Sequence, residues 1–234
     1  YIAEKELADA VGQTGSVGGT VVILEPASGR VLAMASQPDY NPNAVDKFRP
    51  SEWRNRVICD SFEPGSTFRP ILLASALEEK VVSRNKRVNC EKGRFLVGGK
   101  TIRDHKPYGK LSLDEMLKFS SNIGFAKLGK KLERERFYDY LRDFGFGQQT
   151  GVDLPGEVSG TVHPPSRWFE IDLAAISFGQ GVTVTPLQLA SATAAIANGG
   201  LLMQPYLVER IEDDNGRTQL FQEPNARRRV ISEE

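Results

Sequence analysis

A serine that follows a turn and opens an apolar helix can serve as a nucleophile, and Ser66 has that setting in Phe62-Glu63-Pro64-Gly65-Ser66-Thr67-Phe68-Arg69-Pro70. Pro64-Gly65 is a strong turn signal, and Pro70 is tolerated only near a helix start. The run Ile71, Leu72, Leu73, Ala76, Leu77 therefore reads as a helix beginning near Ser66. At that position the serine N–H has no intrahelical partner, so it can face an oxyanion forming on a group bonded to Ser66 Oγ. Arg69, three residues on, is a neighbour on the helix surface. From these nine residues alone, capping the helix is the commoner job for such a serine.

A second polar group is Ser120-Ser121-Asn122, between two helical stretches, where it can project into a cleft or cap the second helix. Metal catalysis is not expected, and neither is a cofactor. His105 and His163 have no ligand spacing with each other or with a cysteine pair, and no His-Glu-x-x-His occurs. Cys59 and Cys90 could form one disulfide or none, and two buried free thiols are the expected case.

These groups must be held by the rest of 234 residues, 40% hydrophobic and 26% charged, enough for one sizeable core. Lys plus Arg and Asp plus Glu are 30 each, so charge argues for neither a nucleic-acid partner nor an anionic surface. Arg227-Arg228-Arg229 reads as a solvated stretch. No apolar run approaches the ~20 residues of a membrane span, no signal peptide is present, and the chain begins at Tyr1. It is expected to be part of a longer polypeptide.

Along the chain, residues 1–11 form an amphipathic helix expected to stop at Gly12. Thr20 to Leu24 and Val31 to Ala35 form a β-hairpin, apolar enough to be covered on both faces. Arg84 to Lys110 is an irregular excursion with short strands. Ser112 and Glu115 make a capping box, with Leu111 and Met116 as its hydrophobic staple. Ile123, Ala126, Leu128, Leu132, Phe137 and Leu141 then continue at helical spacing to Gly145. Residues 147–168 form a long loop. Thr185-Pro186-Leu187-Gln188 is a second capping box, whose helix stops at Asn198-Gly199-Gly200. Residues 206–211 and 218–221 flank an Asp-Asp-Asn-Gly hairpin turn.

A helix-initial serine followed by a Ser-x-Asn triplet is part of the signature of serine β-lactamases and penicillin-binding proteins. Beyond it, the chain resembles the transpeptidase domain of class B penicillin-binding proteins, the cell-wall synthases of bacterial elongation and division. The resemblance spans nearly all 234 residues. It rests on Gly29 to Ala35, Tyr40-Asn41-Pro42-Asn43, Arg54-Asn55-Arg56, Phe62 to Thr67, Ser120 to Gly124 and Gly179 to Pro186, in the family order. It implies an α/β (α+β) fold of the penicillin-binding transpeptidase and serine β-lactamase-like type. Such a fold has a central antiparallel sheet with helices on both faces and an all-helical subregion. Residues 1–234 would be one transpeptidase domain, incomplete at its C-terminal end, with 66–145 a mainly helical subregion carrying both serine motifs.

The resemblance also implies the chemistry. Ser66 would be the nucleophile, Ser120 a proton relay toward the leaving amine and Asn122 a donor or orienter for the substrate amide, with Ser121 not a participant and Gly179 to Thr185 structural. The substrate would be a peptidoglycan stem peptide ending in D-Ala-D-Ala, which β-lactams mimic. A glycosyltransferase partner in the membrane and a location at the bacterial inner membrane, with the domain facing the periplasm or cell exterior, are implied by the family alone.

Two departures set this chain apart. Arg69 occupies the position of the family's Ser-x-x-Lys lysine, and an arginine cannot be deprotonated in a protein. It could hold Ser66 and Ser120 by hydrogen bonds, or stabilise negative charge. There is also no Lys-Thr-Gly or Lys-Ser-Gly; Gly99-Lys100-Thr101-Ile102 has the wrong third residue and the wrong place. The expectation is a slow or inactive D,D-transpeptidase, with a non-catalytic scaffold or binding member of the family as the alternative. A β-lactamase or sensor would need a deacylating base, and Glu157 and Glu170, in or beside the long loop, have no motif to single them out.

Overall fold

The computed structural model describes residues 1–233. Helix α1 (Ile2–Thr14) continues through Gly12, past the expected stop, and ends where Gly15 turns left-handed at φ 65° and returns its N–H to the Val11 carbonyl. A glycine ends a helix only where the backbone reverses, and Gly12 stays within the helix. Strands β1 (Gly19–Leu24) and β2 (Val31–Gln37) form the expected antiparallel hairpin, Val22 opposite Met34.

Alternation along β1 sends successive side chains to opposite faces. Gly19 backs onto Leu7 and Val11 of α1. Val22, Leu24 and Met34 pack instead on a small core of Val57, Ile58, Val152 and Leu187. Val57 and Ile58 come from the single turn of α2 (Arg56–Cys59).

Next, a 3-10 turn over Gly65–Phe68 passes directly into α3 (Arg69–Glu78), with Pro70 at its start. The excursion that follows holds two hairpin-like pairs. Strand β3 (Arg87–Asn89) pairs with β6 (Lys110–Ser112), and β4 (Arg94–Val97) with β5 (Lys100–Arg103). The Ser112/Glu115 capping box opens α4 (Leu113–Lys118), and Leu111 and Met116 are both buried.

The single helix expected from Ile123 to Gly145 is two, α5 (Asn122–Leu132) and α6 (Arg134–Asp143). Leu132 and Phe137 are five residues apart, which on one helix puts them about 140° out of phase. Glu133, at φ 69°, breaks the helix and lets both side chains enter one core. That core gathers Phe68, Leu72, Phe125, Leu128, Phe144 and Phe146 around α5.

Helix α7 (Glu170–Ile176), not foreseen from the sequence, begins where the Phe169 N–H donates to Asp172. It packs closely on α5 at Gly129, where a Cβ would lie 1.9 Å from Ser177 Oγ. Helix α8 (Pro186–Ala197) has the second capping box. Strand β7 (Leu201–Met203) pairs with the last strand, β10 (Ala226–Arg229), and the hairpin of β8 (Arg210–Glu212) and β9 (Thr218–Phe221) lies between them in sequence.

The three arginines 227–229 thus belong to a strand and are not merely solvated, since their guanidiniums bind the carbonyls of Arg142, Gln149, Thr150 and Gly199. Cys59 and Cys90 are free, Cys90 buried as expected but Cys59 only half-buried. Among the described residues, no helix is long and apolar enough to cross a membrane.

Candidate functional site

The turn carrying Ser66 is held from behind by residues 179–184. Phe62 and Val184 exchange backbone hydrogen bonds at 3.0 and 2.9 Å, the Gly65 N–H reaches the Gly179 carbonyl at 2.9 Å, and Glu63 accepts the Gly181 N–H at 2.8 Å. Gly179 has φ 81°, and a Cβ there would lie 2.1 Å from the Gly65 oxygen. The glycine-rich segment is therefore a brace for the serine turn, and Ser66 itself is exposed.

The Ser-Ser-Asn triplet lies between α4 and α5, and its three residues take three different jobs. Ser120 is left-handed at φ 58°, and its Oγ lies 3.0 Å from Ser66 Oγ. Ser121, fully buried, is the cap of α5, accepting the Gly124 N–H at 2.9 Å. Asn122 donates through Nδ2 to the Arg103 carbonyl at 3.0 Å and accepts at Oδ1 from Arg69 Nη2 at 2.6 Å. The contact with Ser66 and the helix cap thus fall on adjacent serines.

Arg69 is 3% exposed. Its guanidinium lies 5.3 Å from the centre of the Phe125 ring and reaches past the serines to Asn122. No hydrogen bond joins it to Ser66 or Ser120 among the described residues, and Nε and Nη1 have no partner. The idea that Arg69 holds the two serines is corrected accordingly: it holds Asn122. Burial pulls its pKa below the ordinary arginine value, opposed by the charge of Asp104.

Asp104, unremarked in the sequence, accepts the Ser121 hydroxyl at 2.7 Å and the Ile123 N–H at 3.1 Å. Its pairing spans 17 residues with no periodic pattern to signal it. Glu157 and Glu170 do not belong to the site. Glu157 ties down Thr150 and Gly151, and Glu170 pairs with Lys130, which holds its carboxyl below the usual range. Among the described residues no cluster of His, Cys, Asp and Glu could hold a metal ion.

The penicillin binding protein transpeptidase domain family matches residues 19–234. Stage V sporulation protein D of Bacillus subtilis is 40% identical over 237 residues, which is 100% of this chain and 37% of that protein. The peptidoglycan D,D-transpeptidase FtsI of Escherichia coli K12 is 38% identical over 208 residues, 89% of this chain and 35% of that protein. The crystal structure of penicillin binding protein 3 from Mycobacterium tuberculosis complexed with ampicillin superposes with a TM-score of 0.91 at 30% identity, covering 99% of this chain and 52% of that one. The chain thus spans little more than a third of the length of the curated relatives it matches.

Proposed function

The chain belongs to the penicillin-binding protein transpeptidase domain family, and from that premise we propose that it carries the D,D-transpeptidase site, acting through an acyl-Ser66 intermediate. Relatives named as peptidoglycan D,D-transpeptidases support the reaction class. The observation that carries the residue assignment is the 3.0 Å contact between Ser120 Oγ and Ser66 Oγ, made by two elements far apart in sequence.

Ser66 Oγ attacks the penultimate D-Ala carbonyl of a stem peptide. Its proton passes through Ser120 to the terminal D-Ala nitrogen as the C–N bond breaks. An amine from a neighbouring stem then attacks the ester, forming the cross-link and returning the proton to Ser66. Asn122, oriented by Arg69 and Arg103, keeps one N–H of Nδ2 for a substrate carbonyl. A β-lactam offers the same carbonyl within a ring, so the opened amide nitrogen stays attached and the acyl-serine persists.

Arg69 cannot accept the Ser66 proton, because an arginine guanidinium is not deprotonated in a protein. Losing a general base costs about 10² to 10⁴ in rate. The 234 residues taken alone also contain no Lys-Thr-Gly or Lys-Ser-Gly, so they should acylate slowly. Residues 1–234 are read as belonging to one transpeptidase domain, with 66–145 the mainly helical part that carries both serine motifs. β-Lactams, a membrane glycosyltransferase partner and a periplasm-facing or cell-exterior location at the bacterial inner membrane go with the family reading.

Incubation with a fluorescent penicillin, followed by peptide mass spectrometry, tests the assignment. Slow labelling confined to Ser66 and lost in Ser66→Ala is the expected result, while label on any other residue would overturn it. A second reading, a non-catalytic scaffold of the same family, is favoured by the burial of Arg69. It requires that Ser66 stay unlabelled even after prolonged exposure.

A further inference from the structure

The Ser120 to Ser66 contact depends on a backbone conformation that serine rarely adopts. The left-handed conformation is strained for a residue other than glycine, so the surroundings must impose it on Ser120 at φ 58°. The residues just after it are fixed from outside the helix. Asp104, the first residue past β5, accepts the Ser121 hydroxyl at 2.7 Å and the Ile123 N–H at 3.1 Å. The Arg103 carbonyl beside it takes Asn122 Nδ2 at 3.0 Å.

Three consecutive residues of the α5 start are therefore bound to two consecutive residues at the end of β5. A carboxylate there also satisfies an N–H that has no intrahelical acceptor and faces the positive end of the helix dipole. The other candidate acceptor for the Ser121 hydroxyl is Cys90 Sγ, at 3.3 Å. Burial raises the Cys90 pKa, so that group stays a thiol and the single Ser121 proton goes to Asp104. Ser120 is the one member of the triplet left outside this clamp, and its hydroxyl meets Ser66.

We propose that Asp104 is a positioning residue for acylation of Ser66: by clamping Ser121 and Ile123 it imposes the left-handed Ser120 whose hydroxyl relays the Ser66 proton. The chemical half rests on the transpeptidase reading; the geometric half does not.

The test compares Asp104→Ala, Asp104→Asn and Ser121→Ala with the unaltered chain. Labelling by a fluorescent penicillin over a concentration series separates reversible binding from the acylation step, and circular dichroism of the same samples reports folding. A misplacement of about 1 Å can cost about 10²-fold, and a loss of that order in the limiting acylation rate is expected for Asp104→Ala. The dissociation constant of the reversible complex should stay unchanged. Asp104→Asn keeps one acceptor and should fall between, while Ser121→Ala should reproduce the loss without a change of charge. Should Asp104→Ala not fold, Asp104→Asn and Ser121→Ala carry the comparison.

Unaltered acylation in folded variants, or binding and acylation falling together, overturns the proposal. If the unaltered chain is never acylated, the transpeptidase reading fails instead. The clamp is then read from a crystal structure of the Asp104 variant that folds. Ser120 displaced from the left-handed region supports the proposal, and Ser120 still left-handed beside Ser66 overturns it.

Discussion

Among the described residues Arg69 is a buried cation with one side-chain hydrogen bond, an aromatic face beside it and two nitrogens without partners. Unsatisfied buried donors are costly, so the environment is better matched to a smaller, titratable cation than to a guanidinium. Arg69→Lys is therefore expected to raise the acylation rate of Ser66 by about 10² or more, measured with a chromogenic β-lactam. The same burial that lowers the Arg69 pKa would lower that of a lysine, while Asp104 would resist the fall. The variant's rate should climb with pH through a midpoint below the ordinary lysine value of about 10.4, a limb that the parent lacks. A flat pH profile in Arg69→Lys would remove the lysine from the proton path. At this scale Ser66, Ser120 and Asn122 were marked out by the family resemblance, which also shows Arg69 as an arginine in the place of a lysine. Residue type alone left capping as the commoner role for Ser66. The direction of the Arg69 side chain was not legible, since only the fold shows that it passes the serines to reach Asn122. Asp104 was equally hidden, because a single aspartate acquires its role from the element it faces.

The elements position the serine through close backbone approach, and Gly179 is where that approach is tightest. A Cβ there would sit 2.1 Å from the Gly65 oxygen and 2.6 Å from its nitrogen, in a residue already at φ 81°. Left-handed strain alone costs about 1–3 kcal/mol, and backbone overlap must add to it by pushing the Ser66 turn outward. Gly216, in the β8–β9 turn at φ 74°, has nothing within 4 Å of the place a methyl group would take, and so isolates the strain component. Urea denaturation should show Gly179→Ala as clearly the less stable of the two, with penicillin labelling lost only there; equal losses would mean that the brace does not matter. The brace was expected to be structural from the family resemblance, and both capping boxes were readable because their partners lie three residues apart. The break at Glu133, helix α7 and the β7–β10 pair were not. Each is decided by packing between distant segments, which overrides local periodicity.

At the scale of the molecule the described residues form two unequal apolar clusters, a large one around α5 and a small one of four buried side chains beneath one face of the hairpin. Composition and length foretold a sizeable core but not this division, which arises because β1 and β2 form a two-stranded sheet of their own, with one further bridge among the described residues, from Arg30 to Tyr206. A groove of about 570 Å³ runs between β1 and α8, and Ile23 and Leu32 are 46% and 55% exposed. Local stability follows the apolar surface covering each element, so the hairpin should open at lower free energy than α5. Native-state hydrogen exchange should find the paired amides of β1 and β2 exchanging well before those of Phe125 and Leu128. Leu187→Ala removes a buried side chain from the small cluster alone, a change that costs about 2–5 kcal/mol. It should speed exchange in the hairpin and leave α5 protected, because the serine turn and the Ser-Ser-Asn triplet are anchored in the larger cluster. If protection falls equally in both regions, the two clusters unfold as one cooperative unit, and a defect beneath the hairpin reaches Ser66 as directly as one beside it.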